Sequence, residues 1–162
     1  MPKGDSPSTP LPTNVRVLRQ FRIVFNAVRA HFQEMEKEVG LGGAQVWALS
    51  IIKANPGSSV GEVAKTMQIH QSTASNLIKA LAQKELVRLE KSESDKRSVH
   101  LHILPDGARL LKKVRGPFEG VLPAALNQLS EPTLRRLDRD LGQLIGLLNA
   151  DEAAAEKPLA QI

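Results

Sequence analysis

The sequence contains no cysteine and no tyrosine, a single tryptophan and four phenylalanines. Without cysteine there are no disulfides, no thiolate zinc sites, no cysteine nucleophile and no thiol redox sensing. With aromatics at 3% of 162 residues, Leu, Ile, Val and Ala must fill the core. That composition suits helices better than a sandwich or barrel. No apolar run approaches the roughly 18–20 residues of a membrane span. The first thirteen residues, with four prolines and little apolar matter, lack the apolar core of a signal peptide and read as a disordered tail. The expected location is the cytoplasm, with no membrane partner. No nucleophile–base pair, phosphate loop or metal cluster is visible, so an enzyme is not expected, and neither is a cofactor or a bound metal.

What is present is basic charge in one place. The net charge is +5. Residues 71–115 hold ten Lys and Arg against five Asp and Glu, and the remainder is balanced. The whole surplus thus lies in one stretch, as on a polyanion-binding face, although a merely solvated basic surface has the same composition.

The pattern along the chain is largely helical. Leu18, Phe21, Phe25, Val28, Phe32, Met35 and Val39 recur at alternating spacings of 3 and 4, which predicts a long helix over 14–39 with a narrow apolar seam. Gly40, Gly42 and Gly43 end it. A second helix is expected over 43–54, closed by Asn55-Pro56-Gly57. Ser59 and Glu62 form a capping box for a short helix that buries Val60, Val63, Ala64 and Met67. After the break at 68–70, a helix over 71–84 turns Ala74, Leu77, Ile78 and Leu81 inward.

The period then changes to two. Segments 86–91 and 98–103 read as strands, with Val87, Leu89, Val99, Leu101 and Ile103 supplying the alternation and the charged segment 92–97 forming an exposed tip. Pro105-Asp106-Gly107 opens a helix with Leu110, Leu111 and Val114 on its apolar face, interrupted at Gly116-Pro117. A last helix starts near Ser130, its expected cap, and carries a leucine stripe at 134, 137, 141, 144 and 148. Residues 151–162 read as a flexible tail.

The 71–84 helix has the split that major-groove reading requires. Gln71, Ser72, Thr73, Ser75, Asn76 and Lys79 lie opposite its apolar face. Asn pairs bidentately with adenine, hydroxyls suit phosphates or base edges, and Lys suits phosphate. An ordinary amphipathic surface helix is the plainer alternative, but Ser and Thr are mediocre interior helix formers. The hairpin tip offers a second reader, Asp95-Lys96-Arg97. Arg97 on a narrow wing fits a minor groove, and Asp95 has the chemistry to orient the guanidinium. A turn salt bridge of little worth is the competing reading.

Two stretches, VGEVAKTMQIHQSTASNLIKALAQKELVRL and ESDKRSVHLHILPDGARLL, resemble the MarR (multiple antibiotic resistance regulator) family of bacterial transcriptional regulators. The family wing pattern, D-x-R then L-x-L-T-x-x-G, is met by Asp95, Arg97, Leu101, Ile103 and Gly107. Leu104 stands where the family has a helix-capping Thr.

The resemblance covers about residues 14–150. It implies a mainly α fold with a small β-hairpin: a winged helix-turn-helix over 43–115 flanked by dimerisation helices at 14–39 and 117–150. It further implies an obligate homodimer on a pseudo-palindromic duplex, acting as a repressor and released by a small, often aromatic or phenolic, effector. The two heptad-like stripes, read independently, agree with dimerisation. His31, Trp47 and Arg109 are candidate effector contacts, each with a plainer role as surface, core or phosphate-contacting residue. His100 and His102 share one strand face, but with no third ligand obvious nearby they read as polar-face residues. A winged-helix module for protein or RNA, or an activator of the same fold, is the alternative.

Overall fold

A computed structural model of the chain describes residues 10–95 and 98–161. Lys96 and Arg97 of the tip and most of the expected N-terminal tail, residues 1–9, lie outside the described residues. Helix α1 runs Thr13–Val39 and ends in a left-handed Gly40, whose N–H donates to Glu36 O. The expected seam divides in the middle. Val28, Phe32 and Met35 are buried, whereas Leu18 and Phe25 are 50% and 58% exposed. One helix thus serves two environments.

Helix α2, Gly43–Ala54, buries seven of its twelve residues and is the hub on which α1 and the later elements pack. A helix apolar on most sides has to lie inside the core. Helix α3, Val60–Met67, opens with the expected capping box. Glu62 N–H donates to Ser59 Oγ at 3.2 Å, and Ser59 N–H donates to a Glu62 carboxylate oxygen at 2.7 Å. A left-handed Gln68 closes it, and α4 follows over Gln71–Gln83.

Strands β1 (Val87–Lys91) and β2 (Val99–Ile103) pair antiparallel, with Leu89 opposite Leu101. Each is one residue shorter than the sequence pattern suggests. Leu86 is already engaged elsewhere: its N–H donates to Leu81 O and its carbonyl accepts from Leu104 N–H. The hairpin is pinned to the α2–α3 turn, because Gly57 N–H donates to Leu101 O at 2.8 Å and Leu101 N–H donates to Ser58 O at 2.9 Å. Leu101 is fully buried beneath this junction, while Leu89, expected to share its apolar role, is 43% exposed.

Helix α5, Pro105–Lys113, has Leu104 at its cap position with no side-chain hydrogen bond. The cap of the family pattern is therefore lost, and Pro at the first position, which has no N–H to satisfy, replaces it in part. Gly107 allows close approach here: a Cβ would stand 2.5 Å from Leu86 O.

Helix α6, Val121–Leu126, has no counterpart in the sequence reading. Helix α7, Glu131–Leu148, buries none of its residues. Ser130 occupies its cap position as expected, but the Ser130 hydroxyl pairs with the Thr133 hydroxyl at 3.0 Å rather than capping a backbone amide. The end of the chain differs from a free tail. Pro158 is buried, and Leu159 and Ala160 pack against the core in a 3-10 turn, Leu159–Gln161, that meets α1 and α2.

Candidate nucleic-acid interface

The core explains which face of α4 is available. Ala74, Leu77, Ile78 and Leu81 are between 0% and 6% exposed, which turns the rest of the helix outward. Gln71, Ser72, Asn76 and Lys79 are exposed, and Thr73 and Ser75 are half-buried at the edge. All six expected recognition residues therefore share one side of one rigid helix. Among the described residues Lys79 forms no ion pair and Asn76 no side-chain hydrogen bond, so both heads are open to a partner.

Sequence reading overlooked the residue that starts this helix. His70 stands at the N-cap, and its Nδ1 accepts from Ser72 N–H at 3.4 Å. The same Nδ1 lies 3.0 Å from Ser72 Oγ. Histidine is not among the favoured caps. The remaining signal is its position immediately before the first helical residue.

At the hairpin tip, Asp95 is held from two sides. Its N–H donates to Ser92 Oγ at 3.2 Å, and Ser98 Oγ donates to its carboxylate at 2.7 Å. Ser92 N–H also donates to Ser98 O at 2.9 Å, which closes the loop. These bonds tie the Asp95 carboxylate to the tip; its expected partner Arg97 lies outside the described residues.

One face of the hairpin carries Arg88, Glu90, His100 and His102. Glu90 bridges Arg88 at 2.9 Å and His102 at 3.2 Å. His100 Nδ1 donates to Gly57 O at 2.9 Å. A carboxylate does reach one of these histidines, His102, although no group of three metal-ligating side chains forms among the described residues. The Glu62 carboxyl is held below the usual carboxylate range, first by the Ser59 N–H, then by the Ser59 hydroxyl and more weakly by His100.

The three effector candidates have partners within the chain. His31 Nε2 donates to Pro117 O at 3.0 Å, and its ring meets Phe32 edge-on. Trp47 packs against the core. Arg109 pairs with Asp106 one helical turn back. An apolar concavity lies elsewhere, between the N-terminal half of α1 and α7. It is a groove of about 670 Å³ lined by Val17, Phe21, Val24, Phe25, Leu137 and Leu141 among others.

Residues 39–98 match a family model described as the MarR family. A curated relative, the HTH-type transcriptional regulator Hpr of Exiguobacterium sibiricum, is 30% identical over 115 residues, covering 68% of this chain and 61% of that protein. A putative transcriptional regulatory protein for the hcr operon of Thauera aromatica is 30% identical over 62% of this chain and 56% of its own length. The chain thus spans somewhat over half the length of these relatives. Among solved structures, the Staphylococcus aureus MepR–DNA complex superposes with a TM-score of 0.56 at 21% identity, covering 85% of this chain and 99% of that one. That likeness establishes the winged-helix fold. No helix among the described residues is long and apolar enough to cross a membrane.

Proposed function

We propose that this chain, which matches the MarR family over residues 39–98, is a winged-helix member of that family and a sequence-specific, double-stranded DNA-binding transcriptional regulator. The observation that carries the proposal is α4. One face is locked into the core and the other presents Gln71, Ser72, Asn76 and Lys79 to solvent beside the hairpin. The concentration of the chain's net positive charge in residues 71–115 supports the same face, because phosphate neutralisation dominates affinity for duplexes. In this reading Asn76 and the hydroxyls of Ser72, Thr73 and Ser75 address base edges. Gln71 and Lys79 flank them, and Asp95, Lys96 and Arg97 form the wing that enters a neighbouring minor groove.

The functional unit is a homodimer. Helix α7 leaves Leu137, Leu141, Ile145 and Leu148 38–65% exposed, and α1 adds Leu18, Val24 and Phe25 at 37–58%. A second copy covers these stripes and places two α4 helices about one helical turn apart on a pseudo-palindromic site. A repressor that occludes a promoter in the cytoplasm follows, with a small aromatic or phenolic effector as its release signal. His31 already holds Pro117 O and Trp47 packs against the core, whereas the exposed Arg109 keeps donors for an effector beside its Asp106 contact.

In vitro selection of duplexes by the full chain tests the proposal. The expected outcome is an enriched inverted repeat with half-site centres roughly 10 bp apart and binding that weakens steeply with salt. Asn76→Ala relaxes base preference, and Arg97→Ala weakens binding. Selection that enriches RNA or no duplex at all overturns it in favour of a protein- or RNA-binding module.

A further inference from the structure

The geometry points to His70 as a residue that sets which base the recognition helix accepts, by fixing Ser72 as a hydrogen-bond acceptor. This rests on the DNA-binding reading above and names the chemistry of one contact within it. A serine hydroxyl ordinarily serves as donor or acceptor as its partner requires. That freedom is removed at Ser72.

His70 Nδ1 faces the Ser72 backbone N–H at 3.4 Å as its acceptor, and the assignment accordingly puts the lone pair on that nitrogen and the ring proton on Nε2. The same Nδ1 lies 3.0 Å from Ser72 Oγ. A hydrogen has to lie between two such atoms, and only the hydroxyl has one to give. Ser72 O–H therefore donates inward, to His70, and shows lone pairs alone to its other neighbours. Thr73 and Ser75 make no side-chain hydrogen bond among the described residues, so their hydroxyls keep both roles.

An outward lone pair is repelled by a phosphate oxygen and by the N7, O6 and O4 acceptors of the major groove. It is satisfied by the donors there, the exocyclic amino groups of adenine N6 and cytosine N4. Ser72 is exposed, in the first turn of α4, where a recognition helix comes nearest to the bases. Ser72 accordingly selects an amino-bearing base, A or C, at one position of each half-site. His70 is the positioning residue that enforces the choice, and its Nε2–H remains a donor at the same edge of the helix.

Two measurements test this. In the free protein, imidazole ¹⁵N shifts report the tautomer: a proton on Nε2 is expected, and a proton on Nδ1 overturns the assignment. In the complex, every A and C of the selected half-site is replaced in turn by its analogue lacking the exocyclic amino group. Wild type should lose roughly three- to tenfold in affinity at one such position, the worth of one hydrogen bond.

At that position Ser72→Ala removes the discrimination. His70→Ala blurs it, and His70→Asn, which keeps a side-chain acceptor at the cap, retains it. Melting curves followed by circular dichroism confirm that the variants are folded. A selected duplex with no position sensitive to both His70 and Ser72 overturns the assignment while leaving the DNA reading intact. Failure of the wild type to select any duplex overturns both.

Discussion

The winged unit and the two arms of this molecule, α7 and the first half of α1, are built from similar residues and end in opposite states. Every buried hydrophobic side chain of the core cluster lies between Val28 and Val114. Leu49, Ile52, Ile78, Leu81 and Leu101, drawn from α2, α4 and β2, are all below 2% exposed. In contrast, α7 has a leucine stripe as regular as any in the chain and buries nothing. The first half of α1 is equally bare. Apolar periodicity thus states that a face will be covered, and the fold decides whether the cover comes from the same chain. The winged unit closes on itself, whereas the arms are left with the surface that the proposed second copy would take.

Substitutions can separate these two regions. The largest effect is expected from Leu141→Asp, which places a charge in the α7 stripe and in the groove shared with α1. Sedimentation velocity should show monomers. Operator affinity should fall by roughly 10²–10⁴, the gain that joining two binding modules supplies. Secondary structure of the winged unit should survive; its loss would show the arms to be part of one core.

Leu49→Ala attacks the other side of the comparison. Removing a fully buried side chain from α2 should cost about 2–5 kcal/mol in urea unfolding, at any protein concentration. Next comes Gly107→Ala. The added Cβ meets the Leu86 carbonyl, where strand, α4 terminus and α5 converge, and about 1–3 kcal/mol of overpacking is expected. An unchanged urea midpoint would mean that this junction yields freely.

Smallest is Ser59→Ala, which removes the α3 cap for about 1 kcal/mol. It has a pH signature. The Glu62 carboxyl titrates lower in the folded chain than in the unfolded one. Its contribution is therefore complete above the ordinary carboxylate range and disappears as pH falls through the depressed folded value. Glu62→Gln should flatten that acid limb by lowering stability at neutral pH towards the value that the wild type has in acid, and an unaltered acid limb would assign it to other carboxylates.

Much of the architecture was legible because local signals coincide with it. The glycines after Val39, the Ser59–Glu62 box and the change from period 3.6 to period 2 near Leu86 place elements to within about a residue. Helix α6 escaped because six residues with a central proline, VLPAAL, are too short to display a period. The docking of Leu159 and Ala160 escaped for a different reason. It depends on shape, with Ala160 settling against Gly43, and no local pattern in AEKPLAQI encodes that. At the interface, the outward residues of α4 follow from the inward ones. The His70 cap does not, since it depends on a side chain turning back to Ser72.

Phe32 shapes how the two regions can move. A Cβ at Gly43 would collide with its ring, and one at Gly120 would stand 2.8 Å from it. The ring is thus gripped between the start of α2 and the turn into α6, beside the His31 bond to Pro117. A point held this tightly is a fulcrum, and α1 is its beam. From Phe32 back to Thr13 the helix measures roughly 28 Å at about 1.5 Å per residue. A tilt of about 5° at the ring therefore swings the free end of the beam by about 2.5 Å, half the pitch of a helical turn. Any rotation about the ring would be magnified along α1 into a displacement of side-chain size at Thr13.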